Sequence, residues 1–421
     1  MKKIILTLTF VLTSVSVFAQ KTITFAVPFL TIPSSPNSMA MGNTSLVSQN
    51  DPMMVQYNPA NVVDFENSFQ YTSNTENMIW LPSFGNDMSF FSFGLNASYN
   101  ISDFTNGIPL YISAGYLRTK FDRGNSIWRN DSNVELGTSE DFDSNNKFTI
   151  GIGFDYLIKT SLGFSINHIS SKLSRINEET NKIQSPVETI NAFDFGFKTT
   201  FPIVDISEKL LNQKIEFTHD LYPVLDLTIG GSFLNYGKEI KYVDENQGDP
   251  LPRSSRLGYS FKFGLDYQFE KSRINLAEAT ITREVYDYLI QYNSTQDSTP
   301  SKLSYQNIPG DIKFFDNFVL GNSNSDIFFV QAYEIGFAET FYLKGGNFIG
   351  EGYPQHVLTE GYSLTTKGLT KFINETEDLD LILSYFINHI EIQYFSVKYG
   401  VGYFNFDGTR SSSISLTFKG F

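Results

Sequence analysis

The residue types that most often carry chemistry are sparse and scattered in this sequence. Four histidines, His168, His219, His356 and His389, stand singly, with no HExxH and no second ligand at helical spacing. Thr218-His219-Asp220 could supply half of a catalytic dyad, yet beside a loop it reads as a solvated histidine. Cysteine is absent, which excludes a disulfide scaffold and a cysteine zinc site. There is no GxSxG elbow and no glycine-rich phosphate loop. The Gly230-Gly231 pair lies within an alternating segment and reads as a bend in a strand. Barrel proteases and lipases assemble Ser, His and Asp from separate strands, an arrangement that linear spacing does not reveal. The residues themselves point to no catalytic, cofactor or metal site, and to a non-enzymatic protein.

Any functional surface must therefore be built by the elements, and composition limits what these can be. The chain has 421 residues, 45 acidic against 31 basic, for a net charge of -14, with 40 Phe and 23 Tyr. Such an acidic chain repels a phosphate backbone, so nucleic acid is excluded as a partner. A hydrophobic share of 41% argues against disorder. No apolar run of about 20 residues follows the N-terminal region, so a helical membrane bundle is excluded as well. Residues 1–20 read as a secretory signal: Lys2 and Lys3, an apolar core from Ile4 to Val17, then Ala19 at a small-residue cleavage position. Its removal takes away two lysines and no acids, so the exported chain is more acidic still.

The dominant period is two. Phe148, Ile150, Ile152, Phe154 and Tyr156 alternate with Thr149, Gly151, Gly153 and Asp155. Leu257, Tyr259, Phe261, Phe263, Leu265, Tyr267 and Phe269 alternate with Gly, Ser, Lys, Asp and Gln. The same pattern recurs in Leu110–Tyr116, Phe193–Phe197, Leu225–Phe233, Ile327–Phe337, Phe395–Tyr403 and Ile414–Phe418. Successive side chains of a strand point to opposite faces, so each segment has one aromatic-aliphatic face and one polar or glycine face. A secreted sandwich would alternate too. The segments, however, are long enough for a tilted strand to cross a bilayer, their polar face suits a wet or plugged lumen, and several end in Tyr or Phe at the girdle position. The expectation is an all-β, transmembrane antiparallel barrel in an outer membrane, its apolar face toward lipid, with fourteen strands.

Four polar intervals read as long extracellular loops: Phe121–Lys147, Asp244–Ser255, Gln291–Gly310 and Gly345–Gln355. Ile203–Gln213 is the best helix candidate, with Ile203, Ile206, Leu210 and Leu211 roughly on one face. No composition break marks a second domain. The expected organisation is a signal over 1–20, an N-terminal hatch segment over 21–66 and a barrel over 67–421. Within the hatch, Ser35 to Ala60 is dense in turn formers and lacks sustained alternation, so it is expected inside the barrel or across its periplasmic mouth. Gly42 can take positive φ, Pro59 pushes Asn58 to an extended backbone, and Asn58 can bond to neighbouring backbone. The alternative is an ordinary surface turn before the first strand.

Particular blocks resemble a known family. Ala26-Val-Pro-Phe-Leu, Met39-Ala-Met-Gly42 and Tyr57-Asn58-Pro59-Ala60 resemble the pre-barrel region of the PorV/PorQ family, within the FadL-like group of 14-stranded outer-membrane barrels. Residues 234–242, with Asn235, Gly237 and Tyr242, are followed by Pro250, Pro252, Arg253, Arg256, Gly258 and Tyr259, and together they resemble that family's central block. Ile335–Glu339 and Leu343–Asn347 resemble a later one. Residues 49–60 are also similar to the PorP/SprF barrels of the same pathway. Terminal alternation ending in Phe421 resembles the outer-membrane targeting signal. The resemblance implies an outer-membrane protein of a Gram-negative, Bacteroidota-like bacterium that acts in type IX secretion. Its implied partners are a translocon subunit, the C-terminal domains of secreted cargo and outer-membrane lipid, and it implies no cofactor. A FadL-like channel for hydrophobic small molecules is the alternative it leaves open.

Overall fold

The computed structural model describes residues 25–420, apart from 45, 47–50, 85–86, 106, 131, 178–179, 181, 243–247, 271, 294–301, 324–326, 351–352, 377–379 and 403–405. The expected signal over 1–20, the girdle residue Tyr403 and the terminal Phe421 lie outside the described residues.

Fourteen strands form the wall. They are β1 (Ser68–Asn74), β2 (Ser89–Asn100), β3 (Leu110–Arg129), β4 (Glu135–Asp155), β5 (Lys159–Lys172), β6 (Val187–Pro202) and β7 (Leu221–Gly237). The second half comprises β8 (Ser254–Gln268), β9 (Arg273–Tyr288), β10 (Phe328–Phe337), β11 (Phe341–Gly350), β12 (Tyr353–Thr365), β13 (Ile390–Val401) and β14 (Arg410–Lys419). Each pairs antiparallel with its neighbours in sequence, and β1 also pairs with β14, Ser68 opposite Lys419 and Asn74 opposite Ser413. The sheet is closed. Every strand is thereby paired on both sides, which is what a β structure needs in hydrocarbon, where no water can satisfy a free edge. Among the described residues no helix is long and apolar enough to cross a membrane.

Burial is inverted relative to a water-soluble protein. On β4, Ile150 is 64% exposed while its neighbour Thr149 is 2% exposed. Phe164 and Ile166 on β5, Phe193 and Phe195 on β6, and Phe261 and Phe263 on β8 likewise face outward, while Ser165, Asn167, Asp194 and Ser260 are buried inside. This is an outer-membrane barrel with an apolar belt outside and a polar lumen. The rim at the start of β1 carries the short turns 156–158, 269–272 and 338–340 and two longer, helix-bearing connections, 203–220 and 366–389. The opposite rim carries 75–88, 173–186, 238–253 and 289–327. By the loop asymmetry of such barrels, the second rim faces the exterior.

Three expectations need correction. Residues 121–147 are not a loop: β3 and β4 run 20 and 21 residues and stay paired as far as Arg129 and Glu135. This ribbon rises beyond the bilayer, where no face meets hydrocarbon and apolar alternation has no reason to persist. Ladder hydrogen bonds still hold it, together with the Trp128 Nε1–H donated to Ser139 Oγ at 2.8 Å. Residues 345–355 are also mostly strand, in β11 and β12. On β13 the expected lipid face is reversed. Phe395, Val397 and Tyr399 are buried, and apolar residues of the N-terminal segment share a core with Val397 and Tyr399. The helix read at Ile203–Gln213 is present as α2, Ile203–Leu211, on the near rim.

The described residues of 25–67 form no barrel strand and run inside the wall. Three of their single-turn helices share one local code. Ser35, Asp51 and Asn58 each precede a proline, which holds them extended, and each side chain accepts a backbone N–H two or three residues on, from Ser38, Met53 and Ala60. Proline then occupies the first helical position, where its missing N–H costs nothing. The turns so formed are Pro36–Ala40 (α1), Pro52–Gln56 and Pro59–Val62.

Candidate functional site

The lumenal seat of residues 25–67 is where the sequence motifs and the buried charges meet. Its local frame is set by Gln56, whose Nε2 donates to Leu30 O at 3.1 Å and Ile32 O at 2.7 Å while Oε1 accepts Ser34 N–H at 2.6 Å. A single half-buried amide thus ties the start of the segment to its second turn.

One side of the seat is polar. Lys147 Nζ on β4 donates to the carbonyls of Val55 and Gln56, both at 2.9 Å, and lies 2.7 Å from the Asp194 carboxylate on β6. Asp194 also accepts from Asn167 Nδ2 at 2.8 Å and from the backbone N–H of Asn235 at 2.5 Å. Asn235 sits at φ +58° in a bulge of β7, where pairing with β6 shifts between Phe233 and Tyr236. The bulge therefore leaves a strand N–H without its ladder partner, and a buried carboxylate takes that place. Segment, ammonium, carboxylate and bulge form one connected chain. Next to it, Ser232 Oγ donates to Tyr57 O at 2.6 Å, and Leu46 N–H donates to Glu284 Oε1 at 2.8 Å. The guanidinium carbon of Arg256 lies 4.0 Å from the Tyr57 ring centroid and 4.1 Å from that of Tyr286.

The other side is apolar. Met39 and Ala40 of α1 join Phe348 on β11, Val357 on β12 and Val397 and Tyr399 on β13 in one core, which Trp80 and Phe406 close from the outer rim. Polar contacts here are few. Asn43 Nδ2 donates to the Tyr399 hydroxyl at 2.6 Å, and Thr359 Oγ1 donates to Ala40 O at 3.0 Å while accepting Gly42 N–H at 2.9 Å.

Glycines on the lumenal face give the segment room. A Cβ at Gly163 or Gly196 would collide with Pro59 or Asn58, and one at Gly346 or Gly361 with Met41 or Ala40. The break expected at Gly230-Gly231 is not there, since both glycines pair in register with β6 and β8; Gly230 instead leaves room for the segment, because a Cβ on it would sit 3.1 Å from Leu46 O. The irregularity of β7 lies further on, at Leu234–Asn235.

The resemblance residues largely converge on this seat. Asn58 Nδ2 donates to Leu46 O at 2.6 Å and Phe197 O at 3.1 Å, and Ala60 is fully buried beside it. Pro250 O accepts Ala26 N–H at 2.8 Å, Pro252 O accepts from Asn235 Nδ2 at 2.9 Å, and Gly237 O accepts from Arg253 Nη2 at 2.9 Å. Tyr242 donates to Ser171 Oγ at 3.1 Å. A Cβ on Gly258 would crowd Glu284 and Leu46. Gly42, at φ +64°, docks apart from these, against Asn347 on the apolar side. Tyr259 faces outward and packs edge-on against Phe318 at 5.2 Å. The sequence reading missed Lys147, Asp194, Glu284, Asp51 and Gln56. Lys147 and Asp194 share the inward parity of the alternating segments, and a charge at that parity is the signal that could have found them.

Below the segment, toward the near rim, two polar cavities of about 460 and 240 Å³ share Thr200, Asp226 and Lys367. On the wall of the smaller one Lys262 pairs with Glu278 at 2.7 Å, and Lys344 pairs with Glu334. Burial pushes the Asp51 carboxyl up, against the opposing bonds from Ser35 and Met53. Burial likewise raises Asp64. For Glu66 burial also acts upward, but Lys419 at 3.0 Å outweighs it and the carboxyl ends below its usual range. His219 is exposed beside Asp220 at 3.4 Å, and His168 and His356 each bond a neighbouring asparagine. His389 stacks on Tyr385 with centroids 4.1 Å apart. Among the described residues no three His, Asp or Glu side chains gather as a metal site would require.

No family model matches the chain, and no curated protein matches it. Solved structures similar to it include the Pseudomonas putida toluene transporter TodX, with 10% identity, 91% of this chain and 97% of that chain covered, and a TM-score of 0.39. A Pseudomonas aeruginosa FadL homologue has 10% identity, with 95% and 100% covered and a TM-score of 0.35. The CymD monoaromatic hydrocarbon channel has 8% identity, with 94% and 99% covered and a TM-score of 0.39. The barrel itself rests on its strand pairing.

Proposed function

We propose that the chain is a non-enzymatic outer-membrane barrel of the type IX protein secretion pathway in a Bacteroidota-like bacterium. In this reading it binds a translocon subunit and the C-terminal domains of cargo at its outer rim and passes cargo toward the surface. The resemblance of the residue blocks supplies the pathway, and the occupied lumen supplies the mode of action. Residues 25–67 are bound to both walls, and the cavities that remain beneath them are lined chiefly by charged and polar side chains, a poor conduit for apolar solutes. What the barrel offers is surface: the β3–β4 ribbon and the connections 173–186 and 238–253. The test is a cross-linked pull-down of the full chain from native membranes. Recovery of a translocon subunit or a cargo domain supports the reading, and recovery of neither sinks it.

A FadL-like channel for hydrophobic small molecules is the second reading, favoured by one observation. The β7 bulge has a small internal cavity on one side, lined by Leu234 and Asn235, and an open groove at Tyr236 on the other. Uptake of a hydrophobic solute into vesicles carrying the barrel, lost when residues 25–67 are cross-linked to the wall, would displace the first reading.

A further inference from the structure

The outward face of the barrel carries a second built feature at the level where the apolar belt ends. On β5 the outward series Leu162, Phe164 and Ile166 gives way to His168, and on β6 Phe195 and Phe193 give way to Asn191 and Thr189. On β7 the bulge brings Tyr236 outward, followed by Lys238. Between these strands lies an open groove of about 640 Å³ whose lining includes His168, Asn191, Phe193, Tyr236, Lys238 and Arg253. Arg253 comes from the connection above. Its guanidinium is held over the Tyr305 ring at 3.5 Å and over Tyr236 at 4.3 Å, and one arm donates to Gly237 O at 2.9 Å. Its buried Nε–H has no bonding partner.

The charge pattern is unusual for this chain. A protein of net charge -14 presents two cations and a histidine here, and among the described residues no acidic side chain lines the groove. A planar guanidinium held rigid between two aromatic rings, with an ammonium nearby, matches the oxygens of a phosphate better than a neutral headgroup does. The aromatic floor, Phe193 and Tyr236, lies at the belt edge, where acyl chains meet headgroups. We propose that this groove binds the anionic phosphate headgroup of an outer-leaflet lipid, one that carries no compensating cation of its own, with its chains lying down the β5–β7 face. Cations near a membrane surface favour anionic lipid by roughly fivefold each, which makes the preference measurable.

The full-length barrel, released from nanodiscs of phosphatidylcholine mixed with phosphatidate of the same chains, is weighed intact by native mass spectrometry for retained lipid. The expected result is enrichment of phosphatidate, falling roughly fivefold in Lys238→Ala and further in Lys238→Ala/His168→Ala. Both positions are exposed, and unchanged heat-modifiable migration on gels shows that the variants remain barrels. Equal retention of both lipids, or enrichment untouched in the double variant, overturns the proposal. Inorganic phosphate at millimolar concentration tests the source: if it abolishes the enrichment, the site is one for free phosphate and the lipid assignment fails.

Discussion

The two sides of the lumen hold the same peptide segment by opposite physics. Around β4 to β7 the contacts are an ion pair, carbonyls bound by an ammonium, and hydroxyls bound to backbone, as in Lys147–Asp194 and Ser232–Tyr57. Around β11 to β13 they are Met39, Ala40, Phe348, Val357 and Val397 packed without charge. The polar side is directional and fails abruptly when one partner is lost, because a buried charge is then left uncompensated. The apolar side is non-directional and loses stability in proportion to the atoms removed. A segment held in this way has a fixed register set by one wall and bulk adhesion supplied by the other.

That contrast can be broken first at Lys147. Lys147→Ala leaves Asp194 buried and the carbonyls of Val55 and Gln56 without their donor, and is expected to destabilise the docked segment by about 3–5 kcal/mol. Protease cleavage within 25–67 in the otherwise intact barrel is the readout, and cleavage no faster than in the wild type would contradict the polar latch. Replacing both partners, Lys147→Met with Asp194→Leu, should recover much of that loss. On the apolar side Met39→Ala removes a side chain 1% exposed and should cost roughly 2–5 kcal/mol, with no change in salt dependence. Denaturant titrations at low and high salt compare the two variants directly, and a salt-dependent Met39→Ala would erase the distinction.

Smaller effects sharpen the comparison. Tyr399→Phe removes the hydroxyl that Asn43 Nδ2 bonds at 2.6 Å while keeping the packed ring, and should cost about 1 kcal/mol in the same titration. A loss as large as that of Met39→Ala would mean that the apolar side depends on polar contacts after all. The smallest expected effect is one of pH. The Asp51 carboxyl is raised by burial, so the folded state holds its proton more tightly than the unfolded chain does. Its contribution is fully present below the ordinary aspartate value of 3.8 and is lost as pH rises through the elevated folded value. Asp51→Asn should flatten the protease-susceptibility profile across that window while Asp64, raised in the same direction, preserves part of the slope. An unchanged profile would exclude Asp51 as its source.

How much of this was legible depended on which side of the wall a residue served. Phe148 to Phe154 showed their outward placement plainly, because lipid demands apolar side chains at every second position over a whole crossing. Phe395, Val397 and Tyr399 carry the same period and point the other way, because the period fixes that two faces differ but not which face meets lipid. Residues 121–147 read as a loop because strand pairing above the bilayer leaves no apolar trace. Lys147 and Asp194 lie 47 positions apart in the chain and meet only through the register of β4, β5 and β6.

By itself the sequence determined an exported-looking, acidic, alternating chain without cysteine, able to close into a fourteen-strand barrel, and a proline-punctuated segment unsuited to any central strand. Those properties are local: a period of two, a side-chain cap before a proline, a missing residue type. Only the tertiary structure decided that the segment lies within the barrel, that glycines such as Gly163 and Gly196 leave space for it, and that one wall binds it by charge and the other by packing. The reason is closure. Once β1 pairs with β14, side chains far apart in sequence face one another across a common lumen, and their energies depend on partners that no local pattern records.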